Sequence, residues 1–154
     1  MIKIEGVETK ELKIIKDERG FLMEMLRNDE PIFQKFGQVY LSVCNPGFAK
    51  GWHYHKKQTD LFVVVKGNGK IVMYDNRPES RTRGQVNEFI IGENNPVLVT
   101  IPPYVIHGMS PADGNPIYLV NCCTEPYDRK NPDEYRLPFD SKEVPYKWDA
   151  KKGG

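Results

Sequence analysis

Residues 51–69 read GWHYHKKQTDLFVVVKGNG: two of the chain's three histidines stand two positions apart, then comes a polar break, then a run of five apolar residues. Residues two apart on a strand point to the same face, so His53 and His55 are predicted to be neighbours. KKQTD reads as a turn, and LFVVV is dense enough in β-branched residues to be a buried strand. His53-Tyr54-His55 is therefore the end of one strand and Asp60 the start of the next.

Outward from this stretch, 12 prolines and 13 glycines punctuate short apolar runs, the pattern of an all-β domain with frequent turns. Candidate strands are ELKIIKD, GFLMEML, GQVYLSVCN, KGWHYH, DLFVVVKG, GKIVMYDN, EFIIG, VLVTIP, HGMSPA and PIYLVNCC. Their spacing points to a sandwich or barrel. NDEPIFQKFG is the one candidate for a short helix, capped by Asn28 or Asp29 with Pro31 in its first turn. A length of 154 residues suits a single domain, with an N-terminal strand segment (about 1–35) and a short C-terminal tail (about 140–154) that hugs the surface and frays into Lys-Lys-Gly-Gly.

Lys+Arg 22 against Asp+Glu 21 leaves a net charge of +1, which does not predict a nucleic-acid surface. No apolar run approaches the roughly 18 residues of a membrane span, and the N-terminus lacks a signal-peptide core. Cys44, Cys122 and Cys123 are odd in number, and two are adjacent, so reduced thiols are expected. The chain reads as cytoplasmic and soluble.

The third histidine sits in TIPPYVIHGM, where two prolines deliver His107 to a strand start. The arrangement resembles the double-stranded β-helix of the cupins, a jelly-roll barrel. His53-X-His55, Asp60 and Gly67 approach the first cupin motif. Pro102 to His107 approaches the second, with Tyr104 where glycine is usual.

The flanks resemble the dTDP-4-dehydrorhamnose 3,5-epimerase family, as a divergent member. The similar motifs are DERGFLMEML, KGWHYH, YDNRPESRTRG, IPPYVIHG and CTEPY, in the family's order. The resemblance implies a nucleoside diphosphate sugar as substrate, namely a dTDP-4-keto-6-deoxysugar, and a place in deoxysugar and polysaccharide biosynthesis such as the dTDP-rhamnose route. A C4 ketone acidifies the C3 and C5 protons, and their exchange needs a base, an acid on the opposite ring face and a group that stabilises the oxyanion. The family's base falls on His53 and its second site histidine on His107. Arg19 and Glu24 fall on residues that grip the nucleotide from a partner subunit, which implies a homodimer with an exchanged N-terminal segment. Tyr127 falls on a tyrosine near the substrate and is a second catalytic candidate. Glu134, beside Asp133, falls where a substrate-binding glutamate is expected. Asp75 and Arg77 read as structural hairpin residues.

The departures are specific. The family's catalytic tyrosine aligns with Asn121, whose carboxamide cannot donate and recover a proton as a phenol does. Its substrate lysine aligns with Asp60, and its substrate arginine with Lys50, which keeps charge but loses the bidentate fork. A glutamine has become His55. No counterpart of the carboxylate that orients the base is assignable.

Three readings follow. The leading one is a sugar-nucleotide epimerase with no cofactor, using His53 and Tyr127, with Arg19, Glu24, Lys50, His107, Asn121 and Glu134 at the substrate. The alternative is a metal-dependent cupin, with a divalent ion on His53, His55, Asp60 and His107, and Gln58 as a substitute for Asp60. A histidine that binds a metal cannot abstract a proton, so the base would then be sought at Tyr54, Tyr127 or a metal-bound hydroxide. The third is a non-catalytic sugar-nucleotide-binding cupin.

Overall fold

The computed structural model describes residues 1–154, which form thirteen strands and no helix. The first sheet has the order β1 (Thr9–Glu11), β9 (Val97–Ile101), β6 (Asp60–Lys66), β11 (Ile117–Cys123), β4 (Gln38–Cys44). The second has the order β12 (Tyr135–Arg136), β5 (Phe48–Tyr54), β10 (Ile106–Pro111), β7 (Asn68–Tyr74), β8 (Val86–Gly92), with β13 (Lys152–Gly153) also beside β5. β2 (Ile14–Asp17) and β3 (Gly20–Met23) form a hairpin bonded to neither sheet. Pairing within the two main sheets is antiparallel except for β13 on β5. The architecture is the expected jelly roll: each of the ten candidate runs falls on a strand, eight of them in the two main sheets and ELKIIKD and GFLMEML in the separate hairpin, while β12 and β13 lie outside the candidate runs.

Strand alternation explains how the layers pack. Phe62 and Val64 of β6 enter the core between the sheets, with Leu119, Val99, Ile71, Met73, Met109 and Ile91. Leu61 and Val63 point the other way, into a second cluster with Leu12 and Leu98 that Met23, Met25, Leu26 and Ile32 cover. LFVVV is unbroken by polar residues because both its faces are buried.

The segment NDEPIFQKFG forms turns, not a helix. Pro31 and Gly37 leave too few residues to nucleate one, and Glu30 is instead pinned by Lys10, 2.5 Å away. The tail also departs from expectation, because it does not fray. Val144 and Trp148 are buried against Ala49, Trp52, Val72 and Ile106, the outer face of the second sheet, and β13 pairs in parallel with Phe48–Ala49. An uncovered apolar sheet face would stay in water, so the tail closes it. At Gly108 a Cβ would lie 2.8 Å from Trp148 Cζ2, so glycine lets the indole pack there.

The YDNRPESRTRG hairpin is structural, as predicted: the buried Asp75 carboxylate accepts hydrogen bonds from Arg77, Ser80 and Thr82. All three cysteines are free thiols. No helix is long and apolar enough to cross a membrane.

Candidate active site

A cavity of about 550 Å³ opens between the sheets, a size typical of small-ligand sites. His53, His55, Tyr40, Gln58, Phe62 and Lys50 are among the residues that line it, and Gln38, Glu125, Tyr127, Asp133, Glu134 and Arg136 contribute further walls.

Strand parity aims the site. Asp60 shares the inward parity of Phe62 and Val64, so a carboxylate enters the core, 1% exposed. His107 and His53 are register partners on β10 and β5, and their ring centroids lie 4.2 Å apart. The donor atoms of His53, His55, Asp60 and His107 all fall within 4.8 Å of one another. The proximity expected from the sequence is present.

Backbone carbonyls set both buried imidazoles. His55 Nδ1–H donates to the Asp133 carbonyl at 2.5 Å, and His107 Nδ1–H donates to the Val105 carbonyl at 2.9 Å. Each Nε2 is thereby turned on Asp60 Oδ2, at 3.2 Å from His55 and 2.9 Å from His107. Asp60 Oδ2 and His107 Nε2 are close but poorly aligned as a hydrogen bond. Asp60 Oδ1 accepts from Gln58 Nε2 at 2.6 Å and from Asn121 Nδ2 at 2.7 Å.

A bare nitrogen lone pair against a carboxylate is repulsive, so a proton or a cation must lie between them. Burial by itself would raise the Asp60 pKa, yet contacts with His107 and His55 hold it well below the ordinary carboxylate range. Burial opposes charge on His55, but Asp60 and then the Asp133 carbonyl outweigh it and raise its pKa to about 9. His55 is an imidazolium at neutral pH. His53 differs: burial and then its neighbour His107 push it well below 6.5. It is neutral at pH 7, half-buried, at the cavity wall and without a hydrogen bond to another residue.

The remaining predicted residues divide by location. Lys50 lines the cavity and donates to Ser42 Oγ at 3.0 Å. Tyr127 lines it from an exposed loop whose backbone N–H donates to Gln38 Oε1. Glu134 lines it paired with Arg136 at 3.0 Å. Asn121 is fully buried beneath the cavity. Tyr54 stacks on Tyr135 and packs with the outer cluster around Trp52, away from His53. Arg19 and Glu24 do not reach the cavity of their own chain: Arg19 pairs with Asp17 in the exposed β2–β3 hairpin, and Glu24 with Arg27.

Sequence reasoning missed Tyr40, Arg136 and the role of Asp133. The Asp133 carboxylate accepts the backbone N–H groups of Lys56, Lys57 and Gln58 at 2.8, 2.9 and 3.0 Å, so it clamps the turn that carries His55. Tyr104 has φ 66°, the left-handed conformation that glycine serves in the motif it departs from. Its N–H donates to the His55 carbonyl at 2.7 Å, which ties the two motifs together.

The chain is similar to several known proteins. The family model for the polysaccharide biosynthesis C-terminal domain matches residues 15–135. A spore coat polysaccharide biosynthesis protein of Bacillus subtilis, SpsL, is 37% identical over 96% of this chain and 97% of its own length. A probable low-salt glycan biosynthesis epimerase of Haloferax volcanii, Agl13, is 36% identical over 97% of each chain. The crystal structure of a dTDP sugar isomerase from Desulfovibrio desulfuricans superposes with a TM-score of 0.89 at 34% identity, covering 96% of this chain and 95% of that one. The chain thus belongs to the polysaccharide biosynthesis C-terminal domain family and is a divergent relative of the dTDP-4-dehydrorhamnose 3,5-epimerases.

Proposed function

We propose that this protein is a sugar-nucleotide epimerase that removes a proton next to the C4 ketone of a dTDP-4-keto-6-deoxysugar, in polysaccharide biosynthesis. The observation that carries the reading is His53: a neutral imidazole at the wall of a cavity large enough for a sugar, packed against the His107 ring but with neither ring nitrogen hydrogen-bonded to the protein. A base must be unprotonated at working pH, and the depressed pKa keeps His53 so. A glycan biosynthesis epimerase and a dTDP sugar isomerase among the relatives support a nucleotide-sugar substrate, and the 4-keto-6-deoxy sugar follows from the motif resemblance.

Lys50 and Arg136 are placed to meet an anionic substrate, and His55 supplies a buried positive charge beside the base. Arg19 and Glu24 reach a nucleotide only if a second copy brings its β2–β3 hairpin to this cavity, so the reading includes a homodimer with an exchanged N-terminal segment. Three free thiols suit a cytoplasmic setting.

The test is deuterium wash-in from heavy water into a dTDP-4-keto-6-deoxyhexose, followed by mass spectrometry and NMR. Wild type incorporates deuterium at C3, C5 or both, and His53→Ala loses at least 10²-fold in rate. No exchange by wild type, or no effect of His53→Ala, overturns the reading.

A second reading rests on Asp60 Oδ2 and His107 Nε2, buried, close and without hydrogen-bond alignment. Three imidazoles and a carboxylate are the donor types of a divalent cation, and His55 and His107 have the carbonyl-anchored Nδ1 common behind metal ligands. Such an ion would polarise the C4 ketone. Metal analysis of protein purified without chelator or nickel resin decides it: about one equivalent of metal per chain supports this reading, and its absence removes it.

A further inference from the structure

Epimerisation needs two proton-transfer groups on opposite faces of the ring, and His53 accounts for one. Asn121 cannot be the other, because its amide is fully committed. Its Oδ1 accepts the Leu61 N–H at 2.9 Å, and its Nδ2 donates to Asp60 Oδ1 at 2.7 Å and to Tyr40 Oη at 2.9 Å.

Tyr40 is differently placed. It is the register partner of Asn121, directly across from it on β4, and it lines the cavity. Its hydroxyl oxygen accepts the Asn121 N–H, while its own hydrogen has no acceptor in the protein. Tyr40 belongs to the first sheet and His53 to the second, so the two groups stand on different walls of the cavity.

We propose that Tyr40 is the catalytic acid opposite His53, held by Asn121, and that it delivers the proton that inverts the carbon. His53 takes the C–H proton and becomes an imidazolium, while the C–H electron pair forms an enolate on the C4 oxygen. The Tyr40 O–H then protonates the same carbon from the other face, leaving a phenolate and restoring the ketone. Solvent returns a proton to Tyr40 and takes one from His53, so the cycle closes without an oxidant or reductant. Burial and the nearby Asp60 carboxylate raise the Tyr40 pKa, so the phenol keeps its proton at neutral pH.

This inference rests on the epimerase reading, and Tyr40→Phe separates the two. In heavy water with a dTDP-4-keto-6-deoxyhexose, Tyr40→Phe is expected to exchange deuterium within about tenfold of wild type while the labelled carbon keeps its configuration. Formation of the epimer falls at least 10²-fold. An unfolding midpoint within a few degrees of wild type confirms that the fold is intact.

Epimer formation at the wild-type rate overturns the role of Tyr40, and so does a parallel loss of exchange and inversion. A wild type that exchanges no deuterium overturns the epimerase reading itself, before any variant is made. Replacing Tyr40 by 3,5-difluorotyrosine gives a second readout that does not depend on removing the hydroxyl. The more acidic phenol shifts the alkaline limb of the inversion profile to lower pH, and an unmoved limb counts against the proposal.

Discussion

Asp60 Oδ2 lies 2.9 Å from His107 Nε2, with each side chain 1% exposed. One buried carboxylate thereby organises both imidazoles behind the cavity, and through Oδ1 it holds Gln58 and Asn121 as well.

Asp60→Asn keeps the shape and removes the charge. His55 then carries a buried cation without its counter-ion, and loss of one partner of such a pair costs about 3–5 kcal/mol. Urea denaturation at pH 7 measures it. A loss below about 1 kcal/mol would show that the cluster does not depend on this anion.

His55 makes stability pH-dependent in a defined window. Its folded pKa of about 9 lies above the ordinary 6.5, so between these values the native state holds a proton that the unfolded chain has released. The stabilisation is complete below pH 6.5 and is lost as pH rises through 9. Thermal unfolding from pH 6 to 10 is expected to show a falling midpoint, with a shallower fall in His55→Gln. Parallel profiles for the two proteins would rule out this assignment.

Trp148 is the anchor of the C-terminal tail, 4% exposed and packed at a tilt of 37° on Trp52 with ring centroids 4.7 Å apart. Trp148→Ala is expected to cost about 3–5 kcal/mol. Denaturant unfolding checks this, and a cost under 1 kcal/mol would mean that the tail is dispensable to the outer layer.

Tyr104 stands at φ 66°, so a glycine there relieves backbone strain while adding freedom to the unfolded chain. The two effects offset, and Tyr104→Gly is expected to leave stability within about 1 kcal/mol. Tyr104→Val, β-branched and ill-suited to that conformation, loses roughly 2 kcal/mol. Equal losses from both substitutions would show that the tyrosine side chain matters, not the backbone.

Much of the fold was legible because it depends on local rules. Period-two alternation and turn residues located most of the strands, and the same parity put His53 beside His55. The tail hugs the surface as expected, but its ordered end and the turns of NDEPIFQKFG depart from expectation for one shared reason. Their conformations follow from the apolar faces they cover, around Trp52 and around Leu61, and those faces are assembled from strands elsewhere in the chain.

At the site, sequence by itself placed His53 beside His55 with Asp60 a short turn away, because period-two strand geometry carries that information within a few residues, while the approach of His107 from a distant strand was implied only by the cupin resemblance. Only the tertiary structure decided what surrounds them. Asp133 reaches back 78 positions to anchor His55, and Asn121 reaches back 81 to hold Tyr40. Those pairings are set by the register of strands distant in the chain, which core packing fixes and no local pattern of residues encodes.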